Sequence, residues 1–382
     1  MIQLIILFGI VSFFADIAYE GTRSIIGPFF AILGASGAVV GTFAGLAEFA
    51  GYGIRIISGI AADRTKNYWF LTSIGYLCNL VVIPLFALAG SWQTAAVLLV
   101  LERAGKALRT PSRDAMLSYA CKDVGRGWGF GLHEAFDRFG GLLGPFIMFG
   151  ILSTGPHFKL GFAILAIPAA AALATLYITY KKFPHPEVAE PSKEPFSIRN
   201  FSRPFWIFLA GASFAGAGTL DFALVSYHIQ KSGIATTSHI PLFYMGAIAI
   251  SAIFALIGGK WFDYAPKISL YFGIFLGSIS SVLLFLGMHM ELWIGIAFWG
   301  VAMATQTALF RSVLAHLIPP QQRSTGYGIF GVVYGLAWFL GSALLGMLYD
   351  VSIAFSAITS LALQLLSIPF IRKVSIKSQD SI

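Results

Sequence analysis

Apolar residues run along this chain in long blocks, and short polar stretches separate one block from the next. Twelve blocks reach the roughly 20 residues that a helix needs to cross a lipid bilayer. Blocks of this length, without alternation of polar and apolar positions, argue against membrane β-strands. The pattern therefore predicts an all-α integral membrane protein with 12 transmembrane helices, near residues 2–32, 36–61, 68–89, 92–117, 128–152, 160–181, 204–229, 239–259, 268–288, 292–316, 325–348 and 352–371.

One connection between these segments is much longer than the others. The stretch from Lys181 to Arg203 is polar and rich in Pro, so it is not expected to cross a membrane. It leaves six apolar segments on either side. The sequence thus predicts an N-terminal six-helix bundle (1–181), a cytoplasmic linker loop (182–203) and a C-terminal six-helix bundle (204–382).

Composition supports a membrane protein and excludes several other classes. Hydrophobic residues make up 57% of the chain and charged residues only 11%, less than half of the about 25% that is typical of soluble domains. A soluble enzyme of this composition would expose large apolar patches and aggregate. We therefore expect a lipid bilayer to surround most of the surface.

The positions of the basic residues predict how the chain is oriented. Fifteen of the 25 Lys and Arg follow even-numbered segments or the last segment, whereas only Lys159 and Lys231 follow odd-numbered ones. Because cytoplasmic loops carry an excess of Lys and Arg, we expect a multi-pass protein of the cytoplasmic (inner) membrane with both termini cytoplasmic. The same residues account for the net charge of +8, so no nucleic-acid partner is needed to explain it.

Short motifs recur in the same order in the two halves of the chain. The three matches are Gly59-x-x-x-Asp63 with Gly259-x-x-x-Asp263, Arg126-x-x-Gly129-x-Gly131 with Arg323-x-x-Gly326-x-Gly328, and Ser12-Phe13 with Ser213-Phe214. The last match aligns Glu20 with Asp221. Together the matches indicate an internal duplication, with two pseudo-symmetric bundles related by an axis along the membrane normal.

Twelve spans in two similar halves resemble the major facilitator superfamily (MFS) of secondary transporters, and the resemblance covers essentially the whole chain. The loop Gly59-Ile60-Ala61-Ala62-Asp63-Arg64-Thr65-Lys66 is similar to the family's Gly-x-Leu-Ala-Asp-Arg-x-Gly-Arg signature. In that family the loop acts as a latch between gate states. The resemblance implies a gating role for Asp63, Arg64 and Arg126; the alternative is that they only anchor cytoplasmic helix ends.

Segment 5 resembles a Gly-x-x-x-Gly-Pro stretch of the family's proton-coupled antiporters. Its residues Gly140-Gly141-Leu142-Leu143-Gly144-Pro145 would allow close helix approach at Gly and loosen the helix at Pro. The resemblance implies a gating role for Gly144 and Pro145 and favours efflux slightly over uptake. Simple close packing is the alternative. The family's Arg-x-x-Gln-Gly of segment 4 is not in register, since Glu102-Arg103-Ala104-Gly105-Lys106 stands nearby instead.

Ionisable residues inside the predicted helices are the strongest functional signal, because each is unfavourable in lipid unless it is paired or hydrated. Fourteen lie in the N-terminal half: Asp16, Glu20, Arg23, Glu48, Arg55, Glu102, Arg103, Lys106, Arg109, Arg113, Asp114, Glu134, Asp137 and Arg138. The C-terminal half contributes two, Asp221 and Arg311. Spacings of three, four and seven residues place many of them on shared helix faces, which predicts that they line an interior cavity.

We assign roles to these residues from their charge and position. The proton-coupling residues are expected to be Asp16 and Glu20 on segment 1, with Asp221 on segment 7. The substrate-binding residues are expected to be Tyr19, Arg23, Glu48, Arg55, Glu102, Lys106, Arg109 and Arg311, and the basic ones would attract an anionic group. The resemblance adds that segments 1, 4, 7 and 10 line the family's cavity. The alternative is a set of structural ion pairs, which we favour for Glu134 with Arg138.

The sequence therefore predicts a secondary transporter that is not an enzyme. It would move a small organic solute, anionic or zwitterionic, by proton-coupled alternating access. No cofactor or resident metal is expected, since the proton gradient is the energy source, and a monomer is expected. Uptake by a permease and transport of a transition metal or metal chelate are the alternatives within this fold. A membrane-embedded enzyme and a passive channel are rival classes.

Overall fold

The described chain consists of helices and the short loops between them. The computed structural model describes residues 1–122, 124–184, 201–319 and 322–375, and the side chains of Arg126 and Ser324 lie outside that description. No strand occurs within these ranges. The all-α prediction is therefore confirmed for the described residues. Most of the predicted linker, 182–203, lies outside them.

Fifteen α-helices make up the described chain. In order they are α1 (Ile2–Ile32), α2 (Gly37–Thr65), α3 (Tyr68–Leu85), α4 (Trp92–Ala120), α5 (Arg126–Ser153), α6 (Phe158–Ile164), α7 (Ala166–Lys182), α8 (Arg203–Gly218), α9 (Phe222–Ser232), α10 (Ile240–Tyr264), α11 (Pro266–Leu286), α12 (His289–Ala304), α13 (Phe310–Leu317), α14 (Arg323–Val351) and α15 (Ile353–Arg372).

Eleven helical segments within the described ranges are long and apolar enough to cross a membrane. They correspond to all the predicted segments but the fourth. That segment is α4, a helix of 29 residues that carries six charged side chains, which lower its hydropathy below that of the others. Its length still exceeds what a bilayer requires.

Three predicted segments are interrupted helices rather than continuous ones. The sixth is divided into α6 and α7 at Leu165, and the seventh into α8 and α9 by residues 219–221. The tenth contains a π-helical turn, Thr305–Leu309, between α12 and α13. Turns of this kind inside helices frequently occur at functional sites.

The contacts between residues divide the chain into two compact units. Unit 1 comprises Met1–Gly34, Ala50–Pro191 and Thr236–Met245, and unit 2 comprises Ala35–Phe49, Ser192–Ala235 and Gly246–Ile382. The start of α2 therefore groups with unit 2, and the start of α10 with unit 1. The predicted bundle boundaries remain a prediction.

In unit 1, α1 and α5 run side by side in the same direction with their backbones in close contact. A Cβ added to Gly140 would overlap the carbonyl oxygen of Phe13, and one added to Gly144 would overlap that of Ile17. Only glycine allows helices to approach this closely. The tight crossing fixes which faces of α1 and α5 are turned toward α4.

In unit 2, the N-terminus of α2 is held by a carboxylate from the end of α14. The backbone N–H groups of Gly37 and Ala38 each donate to Asp350 at 2.8 Å. Since the first N–H groups of a helix lack partners within the helix, a carboxylate at that position satisfies them and complements the helix dipole. Asp350 was not singled out from the sequence.

Candidate functional site

Charged side chains of α1, α4 and α5 meet inside unit 1. We call Asp16 of α1, Lys106, Arg109 and Arg113 of α4, and Asp137 of α5 the charge cluster. Asp137 interacts electrostatically with the three basic residues and with Asp16. The predicted convergence of segments 1 and 4 is thus present in the structure, and α5 joins them.

Lys106 lies at the centre of the predicted proton and substrate sites. Its Nζ is 3.7 Å from Oδ1 of Asp16 and 3.2 Å from the centre of the Tyr19 ring. Arg103 approaches the same ring, with Cζ at 4.5 Å from its centre. Tyr19 therefore holds two cations by its π face, an interaction that strengthens where water is excluded. The structure brings Asp16, Tyr19 and Lys106 together as the sequence predicted.

Arg109 is almost completely buried, with 1% of its surface exposed. Its guanidinium stacks on Tyr76 of α3, with Cζ at 3.9 Å from the ring centre. Two of its nitrogens, Nε and Nη1, have no hydrogen-bond partner among the described residues. Nε and Nη1 lie on different edges of the guanidinium, so together they do not form the side-by-side donor pair that binds a carboxylate or phosphate. Arg109 is therefore a buried cation whose described partner is the Tyr76 ring.

Glu102 is engaged within the helix packing. The amide Nδ2 of Asn79 donates to the backbone carbonyl of Glu102 at 3.0 Å and also to its carboxylate. Nε of Arg103 lies 3.8 Å from the same carboxylate. These contacts join α3 to α4. The structure thus places Glu102 between helices, with its carboxylate occupied by neighbouring side chains.

The remaining charges of α1 meet a tyrosine from the start of α10. The hydroxyl of Tyr244 donates to Oε2 of Glu20 at 2.6 Å, and the guanidinium of Arg23 lies 5.9 Å from the centre of the Tyr244 ring. Tyr244 was not singled out from the sequence. It lies more than 200 positions from Glu20 along the chain, and no local pattern marks such a contact.

A second missed residue is His133, which is buried on α5. Its Nε2 is 2.9 Å from Oγ of Ser12, and Nη1 of Arg113 donates to the same oxygen at 3.2 Å. Arg113 also binds Asp114 through Nε and Nη2, at 2.9 and 2.8 Å. Ser12 therefore links α4 to α5 beside the charge cluster. The signal available in the sequence was a histidine inside a predicted helix, four residues before Asp137.

The other predicted site residues belong to α2 and to unit 2. Asp221 lies in unit 2, where its side chain caps α9 by accepting from the N–H of Ala223 at 2.8 Å. Arg311 is also in unit 2, and its side chain is exposed. On α2, Glu48 falls in the part that groups with unit 2 and Arg55 in the part that groups with unit 1, and both are half-buried.

The predicted gating residues occupy two different environments. Asp63 and Arg64 are exposed at the end of α2, while the side chain of Arg126 lies outside the described residues. Gly144 and Pro145 are buried in α5, where Gly144 touches the backbone of α1. The structure therefore gives Gly144 a packing contact that the sequence had offered as the alternative to gating.

Unit 2 contains a chain of neutral hydrogen bonds that the sequence did not indicate. Nε2 of Gln306, in the π-helical turn, donates to Oγ1 of Thr219 at 2.6 Å. The hydroxyl of Tyr334 donates to Oε1 of Gln306 at 2.7 Å. Thr219 lies in the break between α8 and α9, so both helix irregularities of unit 2 meet here. This polar chain carries no formal charge.

The described residues contain no group of three or more His, Cys, Asp or Glu side chains that is placed to hold a metal ion. His228, a buried residue of α9, contacts the hydroxyl of Tyr349 at 2.9 Å through Nδ1.

Comparison with known sequences extends over nearly the whole chain. The family model described as Major Facilitator Superfamily matches residues 8–370. An uncharacterised protein of Mycobacterium tuberculosis is 36% identical over 374 residues, covering 96% of this chain and 91% of that protein. An uncharacterised MFS-type transporter of Methanocaldococcus jannaschii is 27% identical over 372 residues, covering 91% of this chain and 88% of that protein.

Solved structures of transporters share the fold at low identity. A mutant of the nucleoside transporter NupG matches with a TM-score of 0.80 and 16% identity, covering 96% of this chain and 99% of that one. A POT family transporter in complex with 5-aminolevulinic acid matches with a TM-score of 0.77 and 14% identity, covering 97% and 96%. Proteins of this family are transporters rather than enzymes, and they need no cofactor. By its sequence and its fold, this chain belongs to the major facilitator superfamily.

Proposed function

We propose that this transporter moves a small organic solute with an anionic or zwitterionic group across the cytoplasmic membrane by proton-coupled alternating access. The observation that carries the proposal is the contact of Lys106 with both Asp16 and the Tyr19 ring. One basic side chain thus lies beside a carboxylate that can bind a proton and next to further cations that can bind an anion.

Ionised Asp16 and the anionic group of the solute compete for Lys106 in this mechanism. When Asp16 is ionised, its charge attracts the ammonium of Lys106 across 3.7 Å, and opposite charges at such a distance in a poorly hydrated site interact strongly. When Asp16 binds a proton, that attraction is lost. Lys106 is then available, together with Arg109, to an anionic group of the solute.

Glu20 supplies a second carboxylate on the same face of α1. Its hydrogen bond from Tyr244 connects α1 to the start of α10. Protonation of Glu20 would weaken this bond, because a hydroxyl donates more strongly to an ionised oxygen than to a neutral one. Binding of a proton would therefore loosen a contact between segments from the two halves of the sequence.

We further propose a topology of twelve spans in two bundles. We propose that α4 is the twelfth span, since its charges are turned into unit 1 and its length is sufficient. The bundles would comprise residues 1–181 and 204–382, with the linker and both termini cytoplasmic. Asp63, Arg64 and Arg126 would then contribute to a cytoplasmic latch. The protein would act as a monomer.

Proton coupling can be tested in liposomes that enclose a pH-sensitive dye. Nucleosides and short peptides are the first probes, because solved neighbours include nucleoside and peptide transporters, followed by amino acids and organic acids. Exchange of an entering solute for protons makes the interior more alkaline, whereas uptake together with protons makes it more acidic. The sign of the signal therefore separates antiport from symport.

Variants connect the signal to the proposed residues. We expect Asp16→Asn and Glu20→Gln each to abolish the pH change, and Glu134→Gln to retain it, because Glu134 is exposed and bound by Arg138 at 2.7 Å. We expect Lys106→Ala combined with Arg109→Ala to weaken binding of an anionic solute. Solute accumulation that persists in both carboxylate variants would refute proton coupling through α1.

A further inference from the structure

We propose that Asp137 of α5 is a second proton-binding carboxylate of this transporter, working with Asp16. The proposal deepens the proton-coupled function above and rests on it for its consequence in transport. Asp137 is one of the ionisable residues inside the predicted helices, and the sequence alone gave it no role. Its place in the structure is what distinguishes it.

The register of α1 and α5 brings Asp137 to the same cluster as Asp16. The two helices run in the same direction, as the contacts of Phe13 with Gly140 and of Ile17 with Gly144 require. Ser12 and His133 are in direct contact at 2.9 Å. Asp16 and Asp137 follow them by four residues, which is one turn along the same face of each helix. Both carboxylates therefore extend from the same line of contact.

Asp137 faces more titratable and charged groups than its own helix supplies. From α4 it faces Lys106, Arg109 and Arg113, and from α1 it faces Asp16. Glu134 and His133 lie beside it on α5, and Tyr76 of α3 lies behind Arg109. Two of the three cations already have an acidic partner, since Arg113 binds Asp114 and Lys106 lies beside Asp16, while Arg109 stacks on Tyr76.

One carboxylate oxygen of Asp137 is in an unfavourable position for an ion. Oδ1 is buried and has no hydrogen-bond partner among the described residues. An ionised oxygen that is buried without a hydrogen bond is strongly destabilised. Binding a proton converts the carboxylate into a neutral carboxyl group, which removes this charge and creates an O–H donor. The lack of a partner at Oδ1 therefore favours proton binding at Asp137, whereas the neighbouring cations favour the ionised form.

Two carboxylates in one cluster give the proton two positions. Asp16 and Asp137 repel each other when both are ionised, so a proton on one of them makes ionisation of the other easier. Such a pair takes up its protons in two steps that belong to the pair and not to either residue. Within the proposed transport cycle, the proton leaves one carboxylate and binds to the other as the contacts of Lys106 change.

Infrared spectroscopy tests proton binding without any substrate. The purified protein is titrated from alkaline to acidic pH, and the carbonyl stretch of protonated carboxyl groups is followed. We expect this band in the wild type to contain two components, one from each carboxyl group. Asp16→Asn should remove one component and Asp137→Asn the other, while Glu134→Gln, one turn away on α5 but exposed, should keep both.

Asp137→Glu guards against a variant that merely fails to fold. It retains a carboxyl group, so we expect its component to persist at a shifted frequency. A protonated-carboxyl spectrum that is identical in wild type and Asp137→Asn at every pH would overturn the proposal, and Asp137 would then be a permanent counter-ion of Arg113. If Asp137→Asn removes a component but no solute drives proton movement in liposomes, proton binding stands and the proposed function fails. If Asp16→Asn abolishes coupling and Asp137→Asn changes neither the spectrum nor the coupling, the proposed function stands and proton binding at Asp137 is refuted.

Discussion

Substitution of Gly144 by Ala provides a direct test of the contact between α1 and α5. A methyl group at this position would overlap the carbonyl oxygen of Ile17 and lie 2.7 Å from the backbone nitrogen of Gly21. Both neighbours are backbone atoms, so no rotation of a side chain can relieve the overlap. The two helices must instead move apart by about 1 Å to reach ordinary van der Waals separation.

The expected loss of stability follows from two opposing effects. Overpacking of a tight interface destabilises by about 1–3 kcal/mol, and a gap of this size forfeits a quarter to a half of each dispersion contact along the crossing. Ala also favours the helix over Gly by up to about 1 kcal/mol. We therefore expect Gly144→Ala to lower the free energy of unfolding by about 1–2 kcal/mol.

Gly150→Ala is the matched control on the same helix. A methyl group at Gly150 meets no atom within 4 Å, so only the gain in helix propensity remains. Thermal unfolding of the purified proteins in detergent should rank Gly144→Ala below the wild type and Gly150→Ala at or slightly above it. If Gly144→Ala unfolds at the wild-type temperature, the close approach of α1 and α5 does not exist as described.

Two further substitutions test contacts that hold helices together. Asp350→Asn replaces charge-assisted hydrogen bonds to Gly37 and Ala38 with weaker ones, and such caps contribute about 0.5–2 kcal/mol. We therefore expect a lower melting temperature, and added salt should lower the melting temperature of the variant by less than that of the wild type. An unchanged melting temperature would contradict the cap. Asn79→Leu removes the amide that donates to Glu102, so the buried carboxylate has one donor fewer. We expect the free energy of unfolding, measured by thermal unfolding, to fall by about 1–3 kcal/mol. The additional change Glu102→Gln should restore most of this loss. A double variant no more stable than Asn79→Leu would show that the carboxylate has other sufficient partners.

Hydropathy predicted most of the fold because lipid imposes a simple requirement on a spanning helix. Eleven predicted segments are helices that meet that requirement within the described residues. The breaks at 219–221 and 305–309 were not predictable in the same way. Their polar groups are satisfied by distant side chains, as when Nε1 of Trp299 donates to the carbonyl of Leu220 at 2.9 Å, and no local pattern encodes that contact.

Periodicity predicted the composition of helix faces better than it predicted their partners. It placed Asp16 and Glu20 on one face of α1, and the structure agrees. It did not reveal that Glu20 meets Tyr244, because that contact depends on how segments distant in sequence pack. It also grouped Asp221 with the proton-coupling carboxylates by internal duplication, whereas in the structure Asp221 caps a helix of unit 2. Duplication preserved the position and not the surroundings.

The distribution of charge argues for a division of roles between the two units. The central polar chain of unit 2, from Thr219 through Gln306 to Tyr334, is neutral, so a change of pH does not change its charge. In the proposed mechanism, a proton alters the electrostatic balance in the charge cluster of unit 1. There Lys106 cannot interact at full strength with both ionised Asp16 and an anionic solute at the same time. In the proposed mechanism that exclusion couples the proton to the solute, since a proton on Asp16 releases Lys106 and strengthens binding of the solute, and the bound solute in turn strengthens binding of the proton.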